Sequence, residues 1–276
     1  MLLYHYTDFN ALNGIVGNAE LRLNNILNMN DTSEMRLFVN GLRDNVLVDL
    51  KNAGLDRQFT LAKDFFKKEF AAEFHYSAYA ACFSEYRDDA AQWERYAKGG
   101  QGVCIAFHKE LLEKIVEDSG SVSLKKVYYR DSVEGHELIK KFTKAMSDLK
   151  SFDGQRKKIH TLMNDAWISS AAFKHPSFTS ENEVRLIYTP FSAEEAAVKP
   201  KYHIAWDRIK KYYPLDLNDL CEKVGVKLVD LVDEIIIGPA SPQSLPILQD
   251  YLTDSGLKTL ASRVSLSSCP LRKPTT

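Results

Sequence analysis

The sequence predicts an α/β (α+β) protein with helical insertions, and three observations lead there. Short apolar runs of strand length at 79–83, 102–107 and 183–188 alternate with longer amphipathic stretches at helical spacing. A hydrophobic content of 45% over 276 residues is enough to bury a sizeable core. Cys82, Cys104, Cys221 and Cys269 lie far apart with no C-x-x-C pair, so the pattern suggests neither a disulfide framework nor a zinc site.

In chain order, residues 2–6 read as a first strand, and Asp8 as the N-cap of a short helix carrying Leu12, Ile15 and Val16. A loop is expected next. The cap-forming stretch 28–33 opens a helix with Met35, Leu37, Phe38, Leu42 and Val46 at helical spacing, and another helix is expected over about 55–74. Residues 88–98, between the strands 79–83 and 102–107, form a helix closed by Gly99 and Gly100. A strand at 122–129 and a charged helical insertion at about 132–173 follow. Strands are then expected at 183–188, 201–205 and 233–237, with Gly238-Pro239 stopping the last. A helix from Ser241 or Pro242 to about 253 and a closing strand at 258–261 complete the domain, which spans 1–265 with a flexible tail at 266–276.

With 36 basic and 37 acidic side chains the net charge is -1, so no global field draws the chain to nucleic acid or to an acidic membrane. The opening Met-Leu-Leu-Tyr-His-Tyr-Thr has no basic leader, and no run approaches the roughly 18 apolar residues of a membrane span. The expectation is a soluble, cytoplasmic protein that makes no membrane contact.

The densest chemistry lies in 180–188, Ser-Glu-Asn-Glu-Val-Arg-Leu-Ile-Tyr. In a strand, Glu181, Glu183 and Arg185 share one face while Val184 and Leu186 share the other. Residue types alone leave a solvated edge face and a reactive pair of carboxylates equally open. His5, between Tyr4 and Tyr6, is either structural or a hydrogen-bonding partner for a sugar hydroxyl. Asn30-Asp31 suits a helix start as well as a site. Trp93 and Tyr96 share a helix face, where one ring packs in the core or stacks on a flat ligand. Lys98-Gly99-Gly100-Gln101-Gly102 fits neither phosphate-loop pattern and reads as a turn. The histidines show no metal-ligand spacing, so no metal is expected.

Taken in order, these pieces resemble a bacterial family of unknown function, number 2971 in the domain-of-unknown-function series. The matching stretches are 3–7, Met29-Asn30-Asp31 with Glu34, 82–84, 93–97 with 102–107, Lys174 with 181–185, and 235–239. Thr32 stands where that pattern has proline. The opening His-Tyr-Thr, followed by Leu12 and Ile15, is also similar to the start of DNA-targeting and other ADP-ribosyltransferases.

That second resemblance implies a split, mixed β-sheet holding NAD as substrate without a Rossmann loop. It implies Glu183 and Glu181 as catalytic carboxylates, Glu183 at the developing oxocarbenium and Glu181 at the acceptor. His5, Tyr6, Thr7, Ser84, Tyr96 and Arg185 are implied as NAD-binding residues, Tyr96 or Ser84 being the middle element. The implied activity is transfer of ADP-ribose to a macromolecule, RNA or DNA before protein. Lys140, Lys141, Lys144, Arg156, Lys157 and Lys158 are the candidate phosphate-tracking patch. A toxin or phage-defence effector restrained by an inhibitory antitoxin protein fits the same resemblance. A noncatalytic nucleotide-sensing or partner-binding module and an NAD glycohydrolase are the alternatives.

Overall fold

A computed structural model describes residues 1–26, 33–71, 78–119, 122–149, 156–190, 199–205 and 208–271. Met29, Asn30, Asp31 and Thr32 lie outside these residues. The first third contains β1 (Leu2–Thr7), α1 (Phe9–Asn18), β2 (Glu20–Asn25), α2 (Ser33–Asn52), α3 (Asp56–Ala71) and β3 (Tyr79–Ser84). It continues with α4 (Ala90–Tyr96), β4 (Val103–His108), α5 (Lys109–Ser119), β5 (Val122–Lys126), β6 (Tyr128–Tyr129), α6 (Glu137–Ser147), α7 (Arg156–Ala171) and β7 (Phe173–Lys174). A 3-10 turn (Pro176–Glu181) leads into β8 (Glu183–Tyr188), β9 (Lys201–Ala205), β10 (Arg208–Asp216), α8 (Leu217–Lys223) and α9 (Leu228–Leu231). β11 (Val232–Ile237), α10 (Leu245–Asp254), α11 (Lys258–Ala261) and β12 (Val264–Leu266) end the described chain.

The architecture is mixed α/β, and its main sheet has 10 strands among the described residues. β11 and β12 are parallel, and the other pairs in that sheet are antiparallel. One edge of β3 carries β8, with β5 beyond it. Its other edge forks: β1 meets it only at Ser84, opposite Tyr4, while β2 meets it at Tyr79 and Ala80. His5 sits in this fork, where its Nδ1 lies 2.8 Å from the Cys82 carbonyl and its ring packs 5.5 Å from Phe83. The imidazole therefore satisfies a backbone group that the diverging strands leave unpaired.

Side-chain alternation assigns the sheet's two faces. Leu3, Leu23, Phe83, Ile105, Val184 and Leu186 face one core, closed by α1, α5 and the C-terminal helices. Ala80 and Ile187 face a second core built with α2, α3, α6 and α7. Tyr4 and Tyr6 join Trp93 in a third cluster. The charged helical insertion thus packs against the sheet together with α2 and α3. On α6, Leu138, Ile139, Phe142, Ala145 and Met146 are buried, while Lys140, Lys141 and Lys144 are exposed.

Several expected elements differ. The loop expected after α1 is β2, whose Leu21 and Leu23 alternate with Glu20, Arg22 and Asn24. The strand expected at 122–129 breaks into β5 and β6, which belong to separate sheets. Residues 258–261 form α11, and the closing strand comes at β12. Part of the flexible tail is held, because Ser267 and Ser268 donate to the Asp88 carboxylate and the Ser267 N–H bonds to the Ile237 carbonyl. The glycine-rich turn after α4 is forced by close packing: a Cβ on Gly102 would collide with the Thr7 carbonyl oxygen. Among the described residues, no helix is long and apolar enough to cross a membrane.

Burial depresses the pKa of His5, an effect its bond to Cys82 only partly offsets. A histidine held neutral in the fold contributes stability above its ordinary value near 6.5, and that stability is lost as the pH falls below it. Wild-type protein should therefore lose melting temperature between about pH 7 and pH 5, and His5→Gln should flatten part of that slope. Thermal melts across the range check this, and an unchanged slope in the variant would count against the role of His5.

Candidate functional site

The glutamates converge on one buried ammonium. Lys174, from β7, donates to the Glu181 carboxylate and lies 3.3 Å from Glu183 Oε2. Arg185 grips Glu183 through both ends of its guanidinium, at 2.9 and 3.0 Å, and donates its third nitrogen to the Ala171 carbonyl at 2.7 Å. All four are nearly inaccessible, with Lys174 at 6%, Glu181 at 3%, Glu183 at 6% and Arg185 at 5% relative exposure. The solvated edge face is therefore corrected: β8 lies between β3 and β5, and its charged face points inward.

Local sequence explains how two carboxylates two residues apart reach the same cation. Glu181 ends a 3-10 turn begun by Pro176, and Asn182 takes a left-handed φ of 41°. Asparagine tolerates that conformation. Strand geometry starts only at Glu183, so Glu181 approaches Lys174 from a turn instead of from the strand face expected for it. The Glu183 N–H bonds to the Tyr129 hydroxyl at 2.8 Å, and the Gln92 side chain and Ser84 hydroxyl donate to the Glu181 carbonyl at 3.2 and 2.9 Å.

The two carboxylates differ in their outlook. Burial alone would raise the pKa of Glu183, but Arg185 and Lys174 outweigh it and hold the carboxyl down to about 2. Burial likewise opposes the charge on Lys174, yet Glu183 and Glu181 raise its pKa. Glu181 Oε1 instead accepts from the Tyr96 hydroxyl at 2.7 Å and from Arg95 at 3.1 Å. These two partners reach solvent: the Arg95 side chain is 47% exposed and Tyr96 38%. The network holds two anions and three cations, Lys174, Arg185 and Arg95, and Arg95 is the exposed cation. Phe178 covers Lys174 from the turn, 4.8 Å from ring centre to Nζ.

Of the other expected site residues, Ser84, Tyr96 and Arg185 join this network, while His5, Tyr6 and Thr7 lie outside it. His5 alternates onto the face of Phe83, opposite the face that carries Glu183, so the two do not meet across a cleft. Tyr6 is buried against Trp93 with ring centres 5.0 Å apart, and its hydroxyl bridges the Tyr86 carbonyl and the Asp89 N–H. Ser84 is committed to the Glu181 carbonyl and the Tyr86 N–H. Thr7 follows His5 at the end of β1, with its carbonyl against Gly102. Arg185 has its nitrogens occupied inside the network. Trp93 is core, with its indole N–H on Asp88, and Tyr96 is the partly exposed ring of the two.

Sequence reasoning gave Lys174, Arg95 and Tyr129 no role. Lys174 and Arg95 entered only as parts of the family pattern, with 181–185 and within 93–97, and the partners of Lys174 lie across a turn. Among the described residues, no group of His, Cys, Asp and Glu side chains is placed to hold a metal ion. No curated protein and no solved structure matches the chain. Residues 92–186 are similar to the family described as "Protein of unknown function (DUF2971)", and this stretch holds Trp93, Tyr96, Lys174, Glu181, Glu183 and Arg185.

Proposed function

We propose that the Glu181 face binds NAD and transfers its ADP-ribose to a macromolecular acceptor, a nucleic acid before a protein. The observation that carries this is the shared Glu181 oxygen, whose partners Tyr96 and Arg95 both face solvent. Arg95 supplies the network's excess positive charge where a pyrophosphate can reach it, and guanidinium groups suit phosphate geometry. The Tyr96 ring offers a stacking surface to nicotinamide.

Breaking the nicotinamide–ribose bond leaves an oxocarbenium-like sugar, and a fixed carboxylate lowers the energy of that charge. Nicotinamide departs with the bonding pair. The acceptor's oxygen or nitrogen then bonds the ribose carbon and gives up its proton, for which Glu181 is the base. Glu183 is the anchor that keeps Lys174 and Arg185 in register. This departs from the division expected from sequence, which gave Glu183 the cation and Glu181 the acceptor: Glu181 here serves both, and Glu183 only positions it.

A second reading, a noncatalytic nucleotide-binding module, is favoured by one observation: each carboxylate oxygen of Glu181 and Glu183 already accepts a charged or hydroxyl donor. Incubation with NAD labelled on its adenylate separates the readings. A transferase releases nicotinamide and labels an added RNA, DNA or protein. A binder releases none, and a glycohydrolase releases it while labelling nothing.

A further inference from the structure

We propose that the β9–β10 hairpin is a nucleic-acid-binding arm that docks on a duplex. The inference deepens the nucleic-acid acceptor reading, but it is carried by a different part of the molecule. β10 pairs with β2 from Tyr212 to Asp216, and with β9 from Arg208 to Tyr212. Tyr212 is the residue common to both ladders, so 201–205 and 208–211 leave the sheet as a two-stranded ribbon. A ribbon of that kind fits the major groove of a duplex.

The arm's charge is opposite to that expected of an ordinary segment in a nearly neutral chain. Between 199 and 212 the sequence carries Lys199, Lys201, Arg208, Lys210 and Lys211 against Asp207, while the whole chain has net charge -1; Lys201 pairs with Glu20 at 2.6 Å. Cross-strand neighbours Ile204 and Ile209 are 87% and 68% exposed, and Tyr202, on the same ribbon face, is 65% exposed. Exposed apolar side chains of this size mark a contact surface. Lysine is depleted at protein–protein interfaces, whereas phosphates are met by lysine and arginine, and the thymine methyl takes apolar contacts in the major groove. Apolar and basic groups together therefore favour nucleic acid over a second protein.

The helical patch expected from sequence is also partly paired. Lys141 is paired with Glu137 at 3.1 Å, and the side chains of Arg156 and Lys157 lie outside the described residues.

The test is fluorescence anisotropy with a labelled duplex of mixed sequence, on the whole chain without NAD, so that the result does not depend on catalysis. Wild-type affinity should fall steeply between about 50 and 200 mM salt. Lys199→Ala combined with Lys210→Ala should lower the slope of log affinity against log salt by about 2, near 0.9 for each phosphate that is no longer neutralised. Ile204→Asp with Ile209→Asp should weaken binding by about tenfold or more while circular dichroism stays unchanged. Absence of salt-dependent binding, or binding that both double variants leave intact, would overturn the proposal. So would a concentration-dependent dimer that the isoleucine variants abolish, because the ribbon would then be a contact between copies of this chain. Nicotinamide release that persists when duplex binding is lost leaves the catalytic reading standing.

Discussion

Lys174→Met should lower the melting temperature by on the order of 10 °C, because leaving buried charges without their partner costs about 3 to 5 kcal/mol. Methionine fills much of the same volume, so the loss is electrostatic rather than a cavity. The sign of its pH dependence follows from Glu183. In the wild type its depressed pKa contributes stability above the ordinary glutamate value near 4.3, and that contribution is lost as the pH falls toward about 2. Without Lys174 the Glu183 carboxyl shifts upward and takes up its proton sooner. The gap between variant and wild type should therefore narrow from about pH 7 to pH 4. Melts at both pH values check this, and a loss of equal size at both would contradict the shared-ammonium account.

Glu181→Gln should cut nicotinamide release by hundreds-fold or more in a chain that still folds, at a lower melting temperature because Lys174 loses one of its two buried partners. The reaction would lose an electrostatic interaction worth about 3 to 4 kcal/mol, at roughly 1.4 kcal/mol per decade. Glu183→Gln should act differently: it weakens the two-pronged contact with Arg185, so its main effect is on stability. Steady-state release and thermal melts on both variants separate the roles. If Glu183→Gln abolishes turnover at unchanged melting temperature while Glu181→Gln retains it, the assignment is reversed.

Much of the frame was legible from local pattern. β8 matches the expected 183–188, because Glu-Val-Arg-Leu-Ile-Tyr alternates and its branched and aromatic residues favour a strand. Asp8 caps α1 through the Ala11 N–H, as its position before a periodic apolar stretch implied. β2 shows the same alternation as β8, but Asn24 and Asn25 at its end suggested a loop. Residues 258–261 carry too few side chains to separate one helical turn from a strand, and tertiary packing decides. The chemistry at 181–185 was visible as residue types. Its burial was not, since that depends on β5 covering the outer edge of β8 and on Lys174 arriving from the far side of a turn. His5 was misplaced for a related reason: which face a strand residue takes is set by its register with β3, a long-range property.

Glu181 is proposed to face NAD through Tyr96 and Arg95. A crystal structure with a non-hydrolysable NAD analogue tests it most directly. The account predicts the nicotinamide ribose within hydrogen-bond reach of Glu181, the nicotinamide against the Tyr96 ring and the pyrophosphate on Arg95, with the Glu183–Arg185 pair unchanged. An analogue bound elsewhere, with the Arg95–Glu181 and Tyr96–Glu181 contacts as they stand here, would contradict it.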